Sequence, residues 1–539
     1  LGCLTGVLLA LSFPPLPFFP LAFIAFVPMF YVIEEKKVNL FFFTYIVFFI
    51  YHCGVNWWIG SWQPESDKFL MYGGVGLALA HPFFFMIPIY FYRFFSKRFN
   101  RDDALTLFPF IWIAFEWLRC FGDLAYPWLT IGYTQIDNYY WVQAADLAGV
   151  WGLSFMVVFI NILFVKMLFR YNEARTKGST VKFMYLPRVK KYVIALAVLI
   201  IIPNVYGVFI TSRYDHATLL KDNATIRVGL LQPNINPWRK WEHEALMMIE
   251  THKRLQDSLQ RTVPPIDLAV WSETAITLVS HEFNFFHDFH YLHEWLAQTN
   301  ASLLTGFADF YVYKPGEDFP LMAKPLGSRS GSMYSSFNSA LMLHSYDSLF
   351  EIYHKSKLTP FSEKFPYLEV LSFAKSWFEW NVGISSWTPG ERQNNLHFVK
   401  NNDTVTVAPV ICIESIYPYY VREFVTKGAQ VIAVITNDGW FDYTPGPEQH
   451  YLIAAMRAIE NRRYIVRVAN TGISGVIKPD GSSLMTLPER EQTAAAAEVP
   501  LLGTNSLYFL FGDYAGILST VLIIITLIYS LLYKRKVQY

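Results

Sequence analysis

Charge is what this chain has least of. Only 16% of its 539 residues are Asp, Glu, Lys or Arg, against 53% apolar and 18% aromatic. Soluble domains carry about 25% charged residues, so a chain wetted on all sides does not account for this composition. The net charge is +1, and with no excess of either sign nothing points to nucleic acid. Cysteine is scarce: Cys3, Cys53, Cys120 and Cys412 show no paired spacing. Three lie in apolar runs, where Cys behaves as a small hydrophobe. Only Cys412 falls in the mixed-composition middle, which argues against a disulfide framework. The 13 His are scattered, and no His-x-x-x-His run has suitable partners, so neither a metal site nor a cofactor is expected. The chain opens on Leu1 and shows no cleavable-signal pattern. Its first apolar run is one of many and reads as an anchor.

Long hydrophobic runs, by contrast, are abundant. A bilayer core takes roughly 20 apolar residues. Candidate spans are Gly2 to Leu11, Leu21 to Ile33, Leu40 to Gly60, Phe69 to Tyr92, Leu105 to Phe121, Gly149 to Phe169, Tyr192 to Ile210 and Tyr514 to Tyr533. The first two are short and flank Pro14, Pro15 and Pro17, a composition that suits a tight hairpin. Basic residues cluster after spans two, four, six and eight: Lys36 and Lys37; Arg93, Lys97, Arg98 and Arg101; Arg170 to Lys191; Lys534, Arg535 and Lys536. With eight spans all four clusters fall on one side, which by the positive-inside rule is the cytoplasm. Both termini are then cytoplasmic and the middle of the chain is outside, which in a bacterial envelope is the periplasm. The expected domains are a membrane domain over 1–214 with seven helices, an external domain over 215–508, and an eighth helix with a basic tail over 509–539. The aromatic loop Gly122 to Asp146 is expected at the interface, where Trp and Tyr anchor.

The middle alternates strand-like and helix-like stretches. Strand-like are Ile226 to Leu231, Leu268 to Trp271, Leu303 and Leu304, Asn338 to Leu343, Thr404 to Ile411, Val431 to Ile435, Ile465 to Val468 and Gly475 to Ile477. Glu242 to Gln260 and Glu448 to Asn461 carry apolar residues at helical spacing. Such alternation predicts an α/β domain with packed sheet layers. In that architecture the loops at strand ends carry chemistry.

Three residues occupy such places. Cys412 ends the apolar run "APVIC"; it is either a core residue or a nucleophile, and a nucleophilic thiol needs a nearby base or a lowered pKa. Glu273 ends "AVWSE"; it is either an exposed turn residue or a general base. Lys355 lies in "YHKSKLTPFSE" with Lys357 two residues on; the two are either a solvated pair or include an ammonium that steadies an oxyanion. Together the three suit acyl transfer through a thioester.

These residues, with their flanking motifs, resemble the bacterial apolipoprotein N-acyltransferases, whose outer domain belongs to the nitrilase (carbon–nitrogen hydrolase) superfamily. The resemblance covers nearly the whole chain. It rests on "EWLR" (Glu116 to Arg119), "YPWLTIGYTQ" from Tyr126 and "LAGVWGLSF" from Leu147. In the middle it rests on "WSETA" from Trp271, "YHKSKLTPFSE" from Tyr353, "ICIES" from Ile411, "TNDGWF" from Thr436 and "NTGISGVIKPDG" from Asn470. It implies a membrane helical bundle plus a nitrilase-like α-β-β-α sandwich inserted before the last transmembrane helix.

The resemblance also assigns expected roles. Glu273 is the general base, Lys355 the oxyanion support and Cys412 the acylated nucleophile. Glu363 positions Lys355 and substrate, Glu414 is the glutamate just past the nucleophile, and Trp241 sits near the site mouth. Asn338 bonds the catalytic carboxylate, and the Ile413 N–H is a second oxyanion donor. Apart from the resemblance, "DGWFDYT" with Trp440, Phe441 and Tyr443, and the helix "PGPEQHYLIAAM" after it, read either as a lid or membrane-facing lip or as a plain packed loop. Two positions depart from the family pattern: Ile413 stands where Tyr is usual, and Ser362 where Gly is usual.

The implied reaction moves the sn-1 acyl chain of a phospholipid, through a Cys412 thioester, onto the N-terminal amine of a diacylglyceryl-cysteine lipoprotein. The expected partners are the phospholipid donor, the diacylated lipoprotein acceptor and the bilayer, with the chain a monomer in the inner membrane. Two alternatives stand beside it. A tethered carbon–nitrogen hydrolase uses the same three residues but needs no large membrane half. A transporter needs paired ionisable residues at mid-depth, and the apolar runs offer mainly Glu116 with Arg119.

Overall fold

The computed structural model describes residues 2–63, 66, 68–177, 183–186, 188–242, 245–276, 285–327, 331–345, 350–364, 366–367, 387–441 and 443–532. The chain forms two compact units. One comprises Leu1–Gly60, Met71–Arg213 and Ser506–Tyr539, and the other Ser61–Leu70 and Tyr214–Asn505.

The first unit is helical. Five helices among the described residues are long and apolar enough to cross a membrane: Leu40–Gly60, Leu70–Ser96, Trp141–Thr176, Val189–Tyr214 and Tyr514–Leu532. The protein is a multi-pass integral membrane protein. The two short expected spans fall on helices Gly2–Ser12 and Val27–Glu35, of 11 and 9 residues. At about 1.5 Å per residue, neither alone reaches across a 30 Å core. The expected span Leu105 to Phe121 falls on Arg101–Leu118, whose first turn carries Asp102 and Asp103. Lys182 and the basic cluster Lys534 to Lys536 lie outside the described residues.

Helix Tyr514–Leu532 packs on Arg101–Leu118, about 400 residues earlier in the chain. Gly516 permits this approach, since a Cβ there would lie 2.4 Å from the Trp117 ring. Asp513 fastens the helix start by accepting from the Trp151 and Trp117 indoles (2.9 and 3.1 Å) and the Tyr508 hydroxyl (2.7 Å). Glu116 is spent in the same structural way, with its Oε1 accepting from Trp112 Nε1 and Ile131 N at 2.8 Å each.

The second unit is an α-β-β-α sandwich. Its strands are β1 (Thr225–Gln232), β2 (Leu268–Val270), β3 (Ser302–Val312), β4 (Lys324–Pro325), β5 (Met333–Leu343), β6 (Phe350–His354), β7 (Leu396–Lys400), β8 (Asp403–Ile411), β9 (Val431–Thr436), β10 (Ile465–Ala469), β11 (Gly475–Ile477), β12 (Ser483–Thr486) and β13 (Thr493–Pro500). One sheet runs β13-β1-β2-β3-β5-β4, with β6 paired to β5; the other runs β12-β11-β10-β9-β8-β7. Strands β1, β2 and β3 are parallel, as are β8, β9 and β10. The sheets face each other, with β1 against β10 and β5 against β7 and β8. Helix Ala245–Gln260 covers β1 and β13; Pro418–Thr426 covers β8, and Gly446–Asn461 packs on β10. Parallel strands buried on both faces read as continuous apolar runs, and β9 ("VIAVIT") and β10 ("IVRVA") are buried along their whole length. The core between the first sheet and its helices gathers Leu231, Ile249, Ala269, Trp271, Trp295 and Phe307.

Candidate active site

The carboxyl ends of β2 and β8 and the ends of β5 and β6 supply the site. Glu273 lies three residues past β2. Its turn is pressed against β3, where Gly306 leaves room: a Cβ on Gly306 would sit 2.5 Å from Thr274 N and 2.7 Å from Glu273 Cα. Thr274 takes a left-handed φ of 46°. Lys240 braces this turn from the loop after β1, its Nζ donating to Glu273 O (2.9 Å) and Thr274 Oγ1 (2.7 Å).

Lys355 follows β6 directly, and its N–H donates to Asn338 O on β5 at 2.8 Å, prolonging the strand pairing. This brings their side chains onto two carboxylates. Lys355 Nζ donates to Glu363 Oε1 (2.8 Å) and Glu273 Oε1 (3.2 Å). Asn338 Nδ2 donates to Glu273 Oε1 (2.7 Å) and Glu363 Oε1 (3.2 Å). Thr359 N and Oγ1 hold Glu363 Oε2, each at 2.8 Å. Burial works against the Lys355 charge, but Glu363 and Glu273 overcome it and hold its pKa well above the usual lysine range. Burial likewise opposes the Glu363 charge, and Lys355 wins there too, lowering its pKa.

Cys412 follows β8 and begins a tight turn, Cys412–Ile416, with a left-handed φ of 50°. Cys412 as a whole residue is half-buried. Burial and then Glu273 push its pKa up, and Lys355 pulls it only partly back. The resting sulfur is therefore a neutral thiol.

Glu414 underpins the turn from below. It is fully buried, and its Oε1 accepts from Tyr353 OH (2.5 Å), Ser356 N (2.8 Å) and Lys357 N (3.2 Å), while Oε2 accepts from Ile411 N (2.9 Å). It thus joins the Lys355 segment to the Cys412 segment. Burial raises its pKa against those bonds.

The remaining expected residues lie further out. Ile413 is buried beside Cys412. Trp241 packs with Ala308, Leu358 and Trp387. Trp440 stacks edge-on with Trp238 at 4.9 Å, and its carbonyl accepts from Gln63 Nε2 at 3.3 Å and from Ser61 Oγ. Tyr443 is 84% exposed and Asp442 lies outside the described residues.

Sequence reading passed over Lys240, Asp438, His450 and Arg467. Cys412 Sγ, an Asp438 oxygen and a His450 ring nitrogen lie within 4.8 Å of one another, a grouping in reach of a metal ion. The carboxylate and the imidazole are already engaged, however. His450 Nδ1 meets Asp438 Oδ1 at 2.9 Å, and Arg467 Nη2 donates to Asp438 Oδ2 at 2.5 Å. Opposed by burial but favoured by Arg467 and His450, Asp438 is held down at about 2. No run of spacing in the sequence ties these residues together; helix Gly446–Asn461 brings His450 to the turn.

An α-β-β-α sandwich carrying a strand-end cysteine and a buried Glu–Lys pair, in one chain with long apolar helices, defines a membrane-bound enzyme of carbon–nitrogen hydrolase type. The comparisons agree. The carbon-nitrogen hydrolase family matches residues 227–507, and the apolipoprotein N-acyltransferase N-terminal domain matches residues 5–163. An apolipoprotein N-acyltransferase of Chlorobaculum tepidum is 32% identical over 94% of this chain and 92% of its own. That of Rickettsia prowazekii is 30% identical over 97% and 96%. That of Geobacter metallireducens is 28% identical over 95% and 91%. A solved carbon-nitrogen hydrolase from Helicobacter pylori G27 is 15% identical with a TM-score of 0.37, covering 54% of this chain and 94% of that one; at that score the likeness carries no weight. The chain belongs to the apolipoprotein N-acyltransferase family, and it is an acyltransferase of the nitrilase superfamily.

Proposed function

We propose that this enzyme transfers the sn-1 acyl chain of a phospholipid to the N-terminal amine of a diacylglyceryl-cysteine lipoprotein, with Cys412 as nucleophile, Glu273 as base and Lys355 as electrostatic support. One observation carries the reading: a single ammonium, Lys355, is shared by Glu273 and Glu363 and acts on the Cys412 sulfur.

The chemistry follows from that charge balance. Since the thiol is neutral at rest, its proton leaves as sulfur attacks the ester carbonyl, and Glu273 receives it. The C–S bond forms and the carbonyl electrons move onto oxygen. Lys355 Nζ and the Ile413 N–H stabilise that oxyanion. Collapse breaks the ester C–O bond, and Glu273 returns the proton to the departing lysophospholipid oxygen. The acceptor amine then attacks the thioester and loses a proton to Glu273. Collapse expels the Cys412 sulfur, which regains that proton, and leaves an amide. Asn338 and Glu363 hold Glu273 and Lys355 in register, Glu414 ties the Lys355 and Cys412 segments together, and Trp241 and Trp440 border the acyl-chain entrance.

The same reading assigns 1–214 to a membrane domain whose short first helices pair as a hairpin, 215–508 to the periplasm, and 509–539 to a last crossing with a cytoplasmic tail in the inner membrane. Both substrates carry chains confined to a bilayer, and holding the enzyme there replaces diffusion in three dimensions by local encounter.

The test is intact mass after incubation of the detergent-solubilised chain with phosphatidylethanolamine. One hydroxylamine-labile fatty-acyl adduct is expected on the parent and none on Cys412→Ala. Adding a diacylglyceryl-cysteine peptide should discharge the adduct and yield N-acylated peptide. An adduct retained by Cys412→Ala, or free fatty acid in place of acylated peptide, overturns the proposal.

A further inference from the structure

His450 lies close enough to Cys412 to invite a Cys–His–Asp reading, and its hydrogen bonds argue against one. A histidine that takes the thiol proton must aim a lone pair at sulfur. Here Nε2 faces the Cys412 carbonyl oxygen at 3.1 Å and Ser415 Oγ at 2.9 Å. A carbonyl and a carboxylate both only accept, so bonding the Cys412 carbonyl and Asp438 Oδ1 together takes a hydrogen on each ring nitrogen, with Nε2 donating to the carbonyl. The other edge of the ring is set by Asp438 Oδ1 at 2.9 Å and Arg467 Nη2 at 3.2 Å. Asp438 is in turn held by Thr436 Oγ1 (3.0 Å) and Arg467. Asp438, His450 and Arg467 are all buried to 4% exposure or less, so the ring has one orientation.

The carbonyl that His450 grips belongs to a strained residue. A non-glycine φ of 50° lies in the left-handed region that side chains disfavour, and the Cys412 carbonyl receives compensating bonds from Ser415 Oγ (2.9 Å) and His450. A trans peptide is planar, with its C=O and N–H pointing opposite ways. Fixing the Cys412 C=O toward His450 therefore fixes the Ile413 N–H away from it.

We propose that His450 is a positioning residue that aims the Ile413 N–H as an oxyanion donor. Its Nε2–H pins the Cys412 carbonyl, and the Asp438–Arg467 pair locks the ring. This rests on Cys412 being the acylated nucleophile. His450 makes and breaks no bond in the reaction; it sets the direction of a donor that does its work in the tetrahedral intermediate. Its effect accordingly falls on the chemical step rather than on lipid binding.

The experiment uses the full chain in detergent with phosphatidylethanolamine and follows acyl-thioester formation by mass. His450→Asn keeps a donor where Nδ1 was and loses the one at Nε2. His450→Gln restores a donor at Nε2. The Asn variant should form thioester about 100-fold more slowly, the cost of one lost oxyanion donor, with KM for lipid within about twofold of the parent. The Gln variant should recover to within about tenfold of the parent rate, one part in ten of such a donor's effect. Its acid limb in the rate–pH profile should stay where the parent's is. Ser415→Ala, which removes the companion donor, should slow the same step several-fold and serves where the Asn chain does not fold. Equal rates in the Asn and Gln variants, a parent-like rate in Ser415→Ala, or an acid limb that moves in the Gln variant each overturn this inference. No adduct on the parent chain overturns the nucleophile assignment, and this inference with it.

Discussion

Lys355 and Lys240 flank the same glutamate, are each 1% exposed, and hold their protons very differently. Lys355 meets the Glu273 side chain and Glu363, and its pKa lies well above the ordinary lysine range. Lys240 meets the Glu273 backbone carbonyl and a threonine hydroxyl, and burial pushes it down to about 7, with Glu273 offsetting only part. Depth is equal, so depth does not decide. A carboxylate within 3.2 Å keeps a buried ammonium charged, while neutral oxygens satisfy its hydrogens and leave the desolvation cost standing. One region is built to hold charge for chemistry, and the other is built to hold a turn in place.

The largest expected effect comes from removing the charged member. Lys355→Met leaves Glu273 and Glu363 buried without their cation, and breaking a buried pair this way costs about 3–5 kcal/mol. The thermal midpoint of the solubilised chain should fall steeply and thioester formation should stop. A midpoint within a degree or two of the parent's would show that the two carboxylates do not depend on this ammonium.

Next is Glu273→Gln. It preserves shape but removes the base, and acyl transfer should drop by at least about 100-fold. The same change removes a negative charge that raises the Cys412 pKa. Alkylation by a small neutral reagent near pH 8 should therefore speed up while acyl transfer collapses. Parallel losses in both assays would mean that Glu273 acts on the resting thiol more as its base than as a charge that holds its proton on.

The smallest effect tests Lys240. Its folded pKa is below the unfolded value of about 10.4. Below pH 7 both states are protonated and the folded one bears the buried charge. As pH rises from about 7 towards 10, the folded state has already lost its proton, so stability increases, by on the order of 1 kcal/mol per pH unit. The parent midpoint should rise between pH 7 and 9 relative to that of Lys240→Gln, which lacks the titration. Identical slopes would place Lys240 among ordinary charged lysines and end the contrast with Lys355.

How far residues alone carried this reading depends on the range of the interaction. Run length and apolarity are local, and they marked the long spans, including Tyr514–Leu532, because a bilayer sets a minimum length for any helix that crosses it. Period and composition are local too. They picked out β1, β8, β9 and β10, whose apolar runs match strands covered on both faces. Strand β13 escaped. Its "TAAAAEVP" is poor strand-forming sequence, and it is a strand because all eight residues pair with β1 beneath helix Ala245–Gln260, where small side chains fit.

At the site, Glu273, Lys355 and Cys412 were legible as polar residues terminating apolar or strand-like stretches. Their partners Glu363 and Asn338 were named only through the family resemblance, since composition and spacing do not point to them. Glu363 and Asn338 reach Lys355 and Glu273 only through the β5–β6 pairing and the turn at Thr359. Likewise the grip of His450 on the Cys412 carbonyl exists only once helix Gly446–Asn461 is laid beside the β8 turn. A sequence records that a side chain will be buried, because burial follows from the pattern around it. Which charge or carbonyl it is buried against is settled by strand register and helix docking between segments well separated in the chain, and such separations leave no periodic trace.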